Sequence, residues 1–265
     1  MTVGICALCL QTRPLLQSHF LPAALYKNLI DPGGAITNMI VSNQQTASEE
    51  SKQVKQSLLC QECEIRLQQG GESWVLARRL MPDNSFALRD ILRQHSPTGT
   101  RDGASFYGAG GISEIRPEQL VYFAASIFWR ASVCDWNTPL GIYEQLVLGS
   151  EVKEGLRKFL LILGPFPDPI GILLLLSASS TPRQVVTLPV RTSSVTEWEH
   201  FEFYIPGMNF VMTIGNDGVL NASLSRSPHV IAVDPRVDAR IEKAGREHAA
   251  RSTPTDKLKR KLRNT

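Results

Sequence analysis

The sequence predicts an α+β protein, with a small metal-bound finger at the N-terminal end followed by helices and a mostly antiparallel sheet. Three observations carry this expectation. Two Cys-x-x-Cys pairs, Cys6 with Cys9 and Cys60 with Cys63, lie near the start of the chain. An apolar stripe at helical spacing runs through RPEQLVYFAASIFWRASV, residues 116–133. Beyond it, short apolar runs (GILLLLSAS, RQVVTLPV, HFEFYI and NFVMTIG) are separated by Pro, Gly and Ser, the punctuation of strands joined by close turns.

Each element has its own local reason. Between the cysteine pairs, residues 31–53 are polar and rich in turn formers, which predicts a short strand near Ile36–Ser42 and a loop after it. After Cys63, EIRLQQGGESWVLARRL predicts a helix interrupted at Gly70 and Gly71. Residues 95–114 are rich in Gly, Ser and Thr and read as a connecting loop with a domain boundary nearby. In the helix that follows, Pro117 suits the first position, and Leu120, Val121, Ala124, Ile127, Phe128 and Ala131 recur every three or four residues. A further helix is expected over Ser150–Leu163, ended by Gly164 and Pro165. Arg236–Ala250 can form a polar helix, and TDKLKRKLRNT reads as a basic, loosely ordered tail. The expected division is a zinc-binding unit over 1–95, an α+β unit over 115–235 and a basic tail over 236–265.

Composition bounds the function. The 265 residues are 43% hydrophobic and 20% charged, with a net charge of +3. These values are ordinary for a soluble globular protein and exclude a polyanion binder by bulk charge alone. The charge is uneven, because residues 236–265 hold ten Lys or Arg against four Asp or Glu. The longest apolar run, GILLLL at 171–176, is far short of the ~20 residues a spanning helix needs, so no membrane role is expected. The N-terminal MTVGICALC does not have the pattern of a secretory signal, and the expectation is a cytoplasmic protein with reduced thiols.

In that setting doubled Cys-x-x-Cys pairs point to metal, because structural Zn²⁺ takes four tetrahedral ligands and favours thiolates. Cys6, Cys9, Cys60 and Cys63 supply a complete set. A redox dithiol is the alternative, and neither pair follows the strand of a βαβ unit. A knuckle, an intervening hairpin and a second knuckle that runs into a helix describe a treble-clef (ββα-like) finger, whose helix dipole favours thiolates at its N-terminus.

The segment resembles the zinc-containing branch of the HNH (His-Asn-His) nucleases. The residues that carry the resemblance are Cys6 and Cys9, then Ser18-His19-Phe20-Leu21-Pro22, then Leu59-Cys60-Gln61-Glu62-Cys63-Glu64, so it covers residues 5–68. It implies that His19 is the general base that activates water against a phosphodiester. It also implies a divalent ion, Mg²⁺ or Mn²⁺, held by the residue before that His and by the residue after the last Cys. Here Ser18 stands where the family has Asp, Glu64 where it has His or Asn, and Lys55 where it has its middle Asn. Glu is a good ligand for a hard cation and Ser a poor one. Glu49, Glu50 or Asp31 would be further oxygen donors from the long loop.

Two functions remain open on the sequence. The first is a metal-dependent HNH-type endonuclease with His19 and Glu64 as its catalytic residues. The second is a catalytically degenerate finger that binds nucleic acid, DNA or RNA, or a protein partner. A His packed into a small finger and donating to a backbone carbonyl, or serving as a spare zinc ligand, is as fair a reading of His19 as a base. His95, His200, His229 and His248 show no ligand spacing, Cys134 reads as a small core residue, and Arg130 reads as a buried ion pair or a surface cation.

Overall fold

The computed structural model describes residues 2–27, 39–42, 46–50, 52–168, 170–179, 185–195, 198–215 and 230–262. The N-terminal part is built on a three-stranded antiparallel sheet of β1 (Thr2–Ile5), β2 (Thr12–His19) and β5 (Lys55–Cys60), in the order β1-β2-β5. The first cysteine knuckle closes the β1–β2 turn. Cys60 ends β5 and is the N-cap of α2 (Gln61–Leu67). Between β2 and β5 are inserted α1 (Ala23–Lys27) and the hairpin of β3 (Met39–Ser42) and β4 (Thr46–Glu50). The expected strand at 36–42 is thus seen over 39–42, and its first residues lie outside those described.

The helix expected after Cys63 is interrupted where the glycines stand. The chain passes from α2 into one wide π turn, Gln68–Glu72, and then into α3 (Ser73–Leu76). The cause is close packing on α5 (Pro117–Val133). A Cβ on Gly70 would lie 2.3 Å from Tyr122 Cε1, and one on Gly71 would lie 2.5 Å from the carbonyl of Gln119. The backbone can approach α5 only without side chains there.

α5 starts with Pro117 at its first turn, as its sequence requires, and nearly every residue along it is buried. α4 (Ala87–Leu92) precedes it and α6 (Ser150–Leu160) packs beside it. α6 stops three residues before the expected Leu163. Ile162 takes a left-handed conformation (φ 60°), and the N–H of Leu163 returns to the carbonyl of Lys158 at 2.9 Å.

The larger sheet has seven strands in the order β11-β12-β13-β10-β14-β7-β6. They are β6 (Gly99–Arg101), β7 (Ala104–Gly108), β10 (Ile170–Ser177), β11 (Val190–Val195), β12 (Trp198–Ile205), β13 (Met208–Gly215) and β14 (Val230–Asp234). Neighbours are antiparallel except β10 and β14, which run parallel. A small hairpin of β8 (Trp136–Thr138) and β9 (Gly141–Tyr143) lies apart from it.

Three local expectations change. Residues 95–114 are not simply a connecting loop, because β6 and β7 within them pair with each other and with β14. Their small residues let a tight hairpin form, with Asp102 and Gly103 both at positive φ. Residues 185–189 of RQVVTLPV are not a strand. They lie outside the ladders and touch β12 through the mutual hydrogen bonds of Thr187 and Tyr204, and pairing starts at Val190, the first residue of β11, after Pro189, which has no N–H to give. The described C-terminal residues, up to Leu262, are not loose either. After α7 (Arg236–Arg251), β15 (Thr253–Pro254) pairs with β4, and α8 (Asp256–Leu262) follows.

The larger hydrophobic core runs from the N-terminal sheet, through α5 and α6, to one face of the large sheet, and a smaller cluster of Leu175, Tyr204, Ala232 and Val237 lies apart from it. Phe20 marks the junction, stacking on Trp136 at 4.7 Å and meeting Tyr143 edge-on at 5.0 Å.

Candidate metal centre

The fold brings the four predicted cysteines together from two knuckles. One ligand atom from each of Cys6, Cys9, Cys60 and Cys63 lies within 4.8 Å of all the others. Cys6, Cys60 and Cys63 are buried and Cys9 half-buried. Four sulfurs bound tetrahedrally at about 2.3 Å from a metal are about 3.8 Å apart. Cys9 Sγ and Cys60 Sγ are 3.9 Å apart. The donor set therefore fits a metal ion such as zinc.

The local backbone explains why the sulfurs gather. Leu10, at φ 61°, reverses the chain after the first knuckle, closed by hydrogen bonds from Leu10 N–H to the Cys6 carbonyl (2.8 Å) and from Cys6 N–H to the Gln11 carbonyl (2.9 Å). A bulge in β5 makes Leu58 the extra residue, and its carbonyl accepts from the knuckle's Ala7 N–H at 3.1 Å. From below, Arg157 of α6 donates to the Leu8 carbonyl at 2.8 Å while gripping Glu154 with two bonds of 2.7 Å.

The sulfurs also compete for charge. Cys63 Sγ donates to Cys6, and against the cost of burial the backbone N–H groups of Cys9, Cys60 and Leu8 add to this, holding the Cys6 thiol down at about 4. Its partner Cys63 is pushed well above the thiol range, first by that same bond. Cys9 is raised, chiefly by burial. Four thiolates this close cannot all ionise against one another, and a divalent cation removes the conflict.

The residues carried over from the resemblance lie on β2, β5 and α2, the elements around this centre. His19 ends β2, half-buried, and its Nε2–H donates to Gln53 Oε1 at 2.6 Å, which leaves Nδ1 with the lone pair. Burial lowers its pKa below 6.5 and Lys55 adds to this, against Gln53 and Glu64. The imidazole is neutral at pH 7. Ser18 points the other way. It is 1% exposed, and its Oγ accepts the Leu59 N–H at 3.1 Å, filling a ladder position that the bulge leaves open. Lys55 is exposed, directly across the ladder from His19. Glu64, in the first turn of α2, faces Arg130 of α5 at 3.9 Å.

Arg130 is the residue whose role only the structure reveals. Its side chain is 2% exposed and pairs with Glu72 at 2.7 Å as well as with Glu64. This is the buried ion pair that its sequence context allowed. Glu72 carried no sequence signal. In an unbroken α-helix it would sit roughly 80° around the axis from Glu64. The π turn reduces that offset and lets both carboxylates reach one guanidinium. Gln53 and Tyr26 were equally silent. Tyr26 is buried near His19, with ring centroids 6.4 Å apart, and burial raises its hydroxyl to about 12. Asp31 lies outside the described residues, as do the side chains of Glu49 and Glu50. Cys134 is half-buried at the end of α5 and packs on the core. His200 packs on Trp198 at 4.1 Å. His229 lies outside the described residues, as does the side chain of His248. Among the described residues, no helix is long and apolar enough to cross a membrane.

Compared with protein families, with curated proteins and with solved structures, the chain matches none of them.

Proposed function

We propose that Cys6, Cys9, Cys60 and Cys63 hold one structural Zn²⁺ in a treble-clef finger, and that this finger is a catalytically degenerate HNH-like module that binds nucleic acid without cutting it. The observation that argues against cutting is Ser18. Where the resembled nucleases place a metal-binding carboxylate, this chain has a hydroxyl that is buried and spent on the Leu59 N–H. Glu64, at the other metal-ligand position, faces the Arg130 guanidinium instead of an open site. An Mg²⁺ ion needs hard oxygen ligands in near-octahedral array; the buried Ser18 hydroxyl is a poor start for one, and the charge of Glu64 is already answered by Arg130.

The competing reading is the HNH-type endonuclease with His19 as general base and Glu64 on a divalent ion. One observation favours it. His19 is neutral at pH 7 with an open nitrogen, as a base must be. Purified protein incubated with plasmid and Mg²⁺ or Mn²⁺, in parallel with a gel-shift assay, separates the two. The module reading expects shifted but intact nucleic acid. Cleavage that is lost in His19→Ala, with zinc retained, would establish the nuclease.

A further inference from the structure

The net charge of +6 over residues 236–265 is not spread along them. In α7, Arg236 and Arg240 both pair with Asp234, at 2.9 and 3.8 Å. Arg246 pairs with Glu242 at 3.0 Å and Lys243 with Glu247 at 3.9 Å. The excess falls beyond them, where residues 251–265 hold six Lys or Arg against a single Asp.

That excess is also not on a free tail. β15 pairs in parallel with β4, Thr253 opposite Thr46 and Pro254 opposite Ala47. The Thr255 N–H donates to the Ala47 carbonyl at 2.9 Å. Leu258 is then buried, at 2% exposure, while Lys259, which meets Asp256 at 3.5 Å, and Arg260 of α8 are exposed. β4 belongs to the hairpin inserted in the finger between β2 and β5. The chain leaving β4 toward β5 carries two more exposed cations, Lys52 and Lys55. The far end of the chain therefore returns to the finger and fixes a basic helix on its insert.

We propose that α8, pinned by β15 and Leu258, is part of the finger's binding surface and contacts the phosphate backbone of a nucleic acid. This rests on the nucleic-acid reading above and assigns it a surface. Phosphate is favoured over an anionic membrane because the one described apolar side chain of α8, Leu258, is turned inward against the insert. A helix that lies in a bilayer interface must offer its apolar side outward. Pinning matters because cations held in place beside the finger engage the same strand without the entropy cost of ordering a tail.

The test uses full-length zinc-loaded protein and a short duplex DNA, with affinity measured as a function of salt. Each phosphate contact contributes about 0.9 to the slope of log K against log salt. Lys259→Ala with Arg260→Ala should lower that slope by about 1.8, with zinc content and melting temperature unchanged. Leu258→Asn keeps every charge but undocks α8, and should weaken binding several-fold at fixed salt. An unchanged slope in the double variant overturns the proposal. So does binding to vesicles of anionic phospholipid in place of DNA. Zinc-loaded wild type that binds neither duplex nor single-stranded nucleic acid overturns the nucleic-acid reading itself.

Discussion

At Arg130 one cation faces two carboxylates in a place nearly closed to water. A buried ion pair adds little net stability, but breaking one leaves the partners charged and desolvated, typically at about 3–5 kcal/mol. Arg130→Met should therefore lower unfolding stability in urea by about that amount. The triple variant with Glu64→Gln and Glu72→Gln should recover much of the loss, because no buried charge is left unpaired. His19 makes a second residue-scale prediction. Its folded pKa is lowered by burial, so below 6.5 the unfolded chain binds a proton that the folded chain resists. Stability should fall as pH drops from 7 toward and below that value, and His19→Gln should flatten this part of the pH profile. If the variant and wild type show parallel profiles between about pH 5 and 7, the imidazole is not buried as described.

The π turn is the element on which the finger meets α5. Gly70 faces the Tyr122 ring, whose hydroxyl donates to the Leu160 carbonyl at 2.6 Å and cannot swing aside without losing that bond. Gly70→Ala should cost about 1–3 kcal/mol, as overpacking does, despite the better helix propensity of Ala. Gly207 gives a sharper case in the β12–β13 turn. It has φ 78°, and an added Cβ would lie 2.7 Å from Phe86 Cε1. Gly207→Ala should destabilise the fold by at least as much, read as a lower melting temperature.

On the scale of the whole molecule, the finger and the large sheet share one continuous core, joined through Phe20, Trp136 and α5. If the cysteines hold zinc, the metal's ~10–16 kcal/mol of binding energy is folding energy for the strands and helix around it. Stripping it with a chelator should then lower the stability of the entire molecule in one cooperative transition, not melt residues 1–70 alone. Calorimetry that shows two separated transitions, with the later one unmoved by chelation, would contradict this. Cys60→Ser should act as the chelator does, because Cys60 both ends β5 and caps α2.

Elements whose signals are local were legible in the residues alone. The four thiols lie in two short motifs, the stripe of α5 repeats every three or four residues, and the glycine pair at 70–71 breaks its helix where expected. The resemblance to the HNH nucleases picked out His19, Ser18 and Glu64. Which way those side chains face depends on packing that forms only in the fold. Ser18 turns inward because a bulge at Leu58, invisible in composition, opens a backbone donor at Leu59. Glu64 is claimed by Arg130, sixty-six positions away in the chain, through a pairing that no periodicity encodes. The hairpin at 99–108 and the docking of β15 were likewise illegible, because small, polar residues gain their structure from partners distant in sequence. Local propensity fixes an element when its own side chains suffice to bury it; where a partner strand or a buried countercharge supplies the energy, the fold decides.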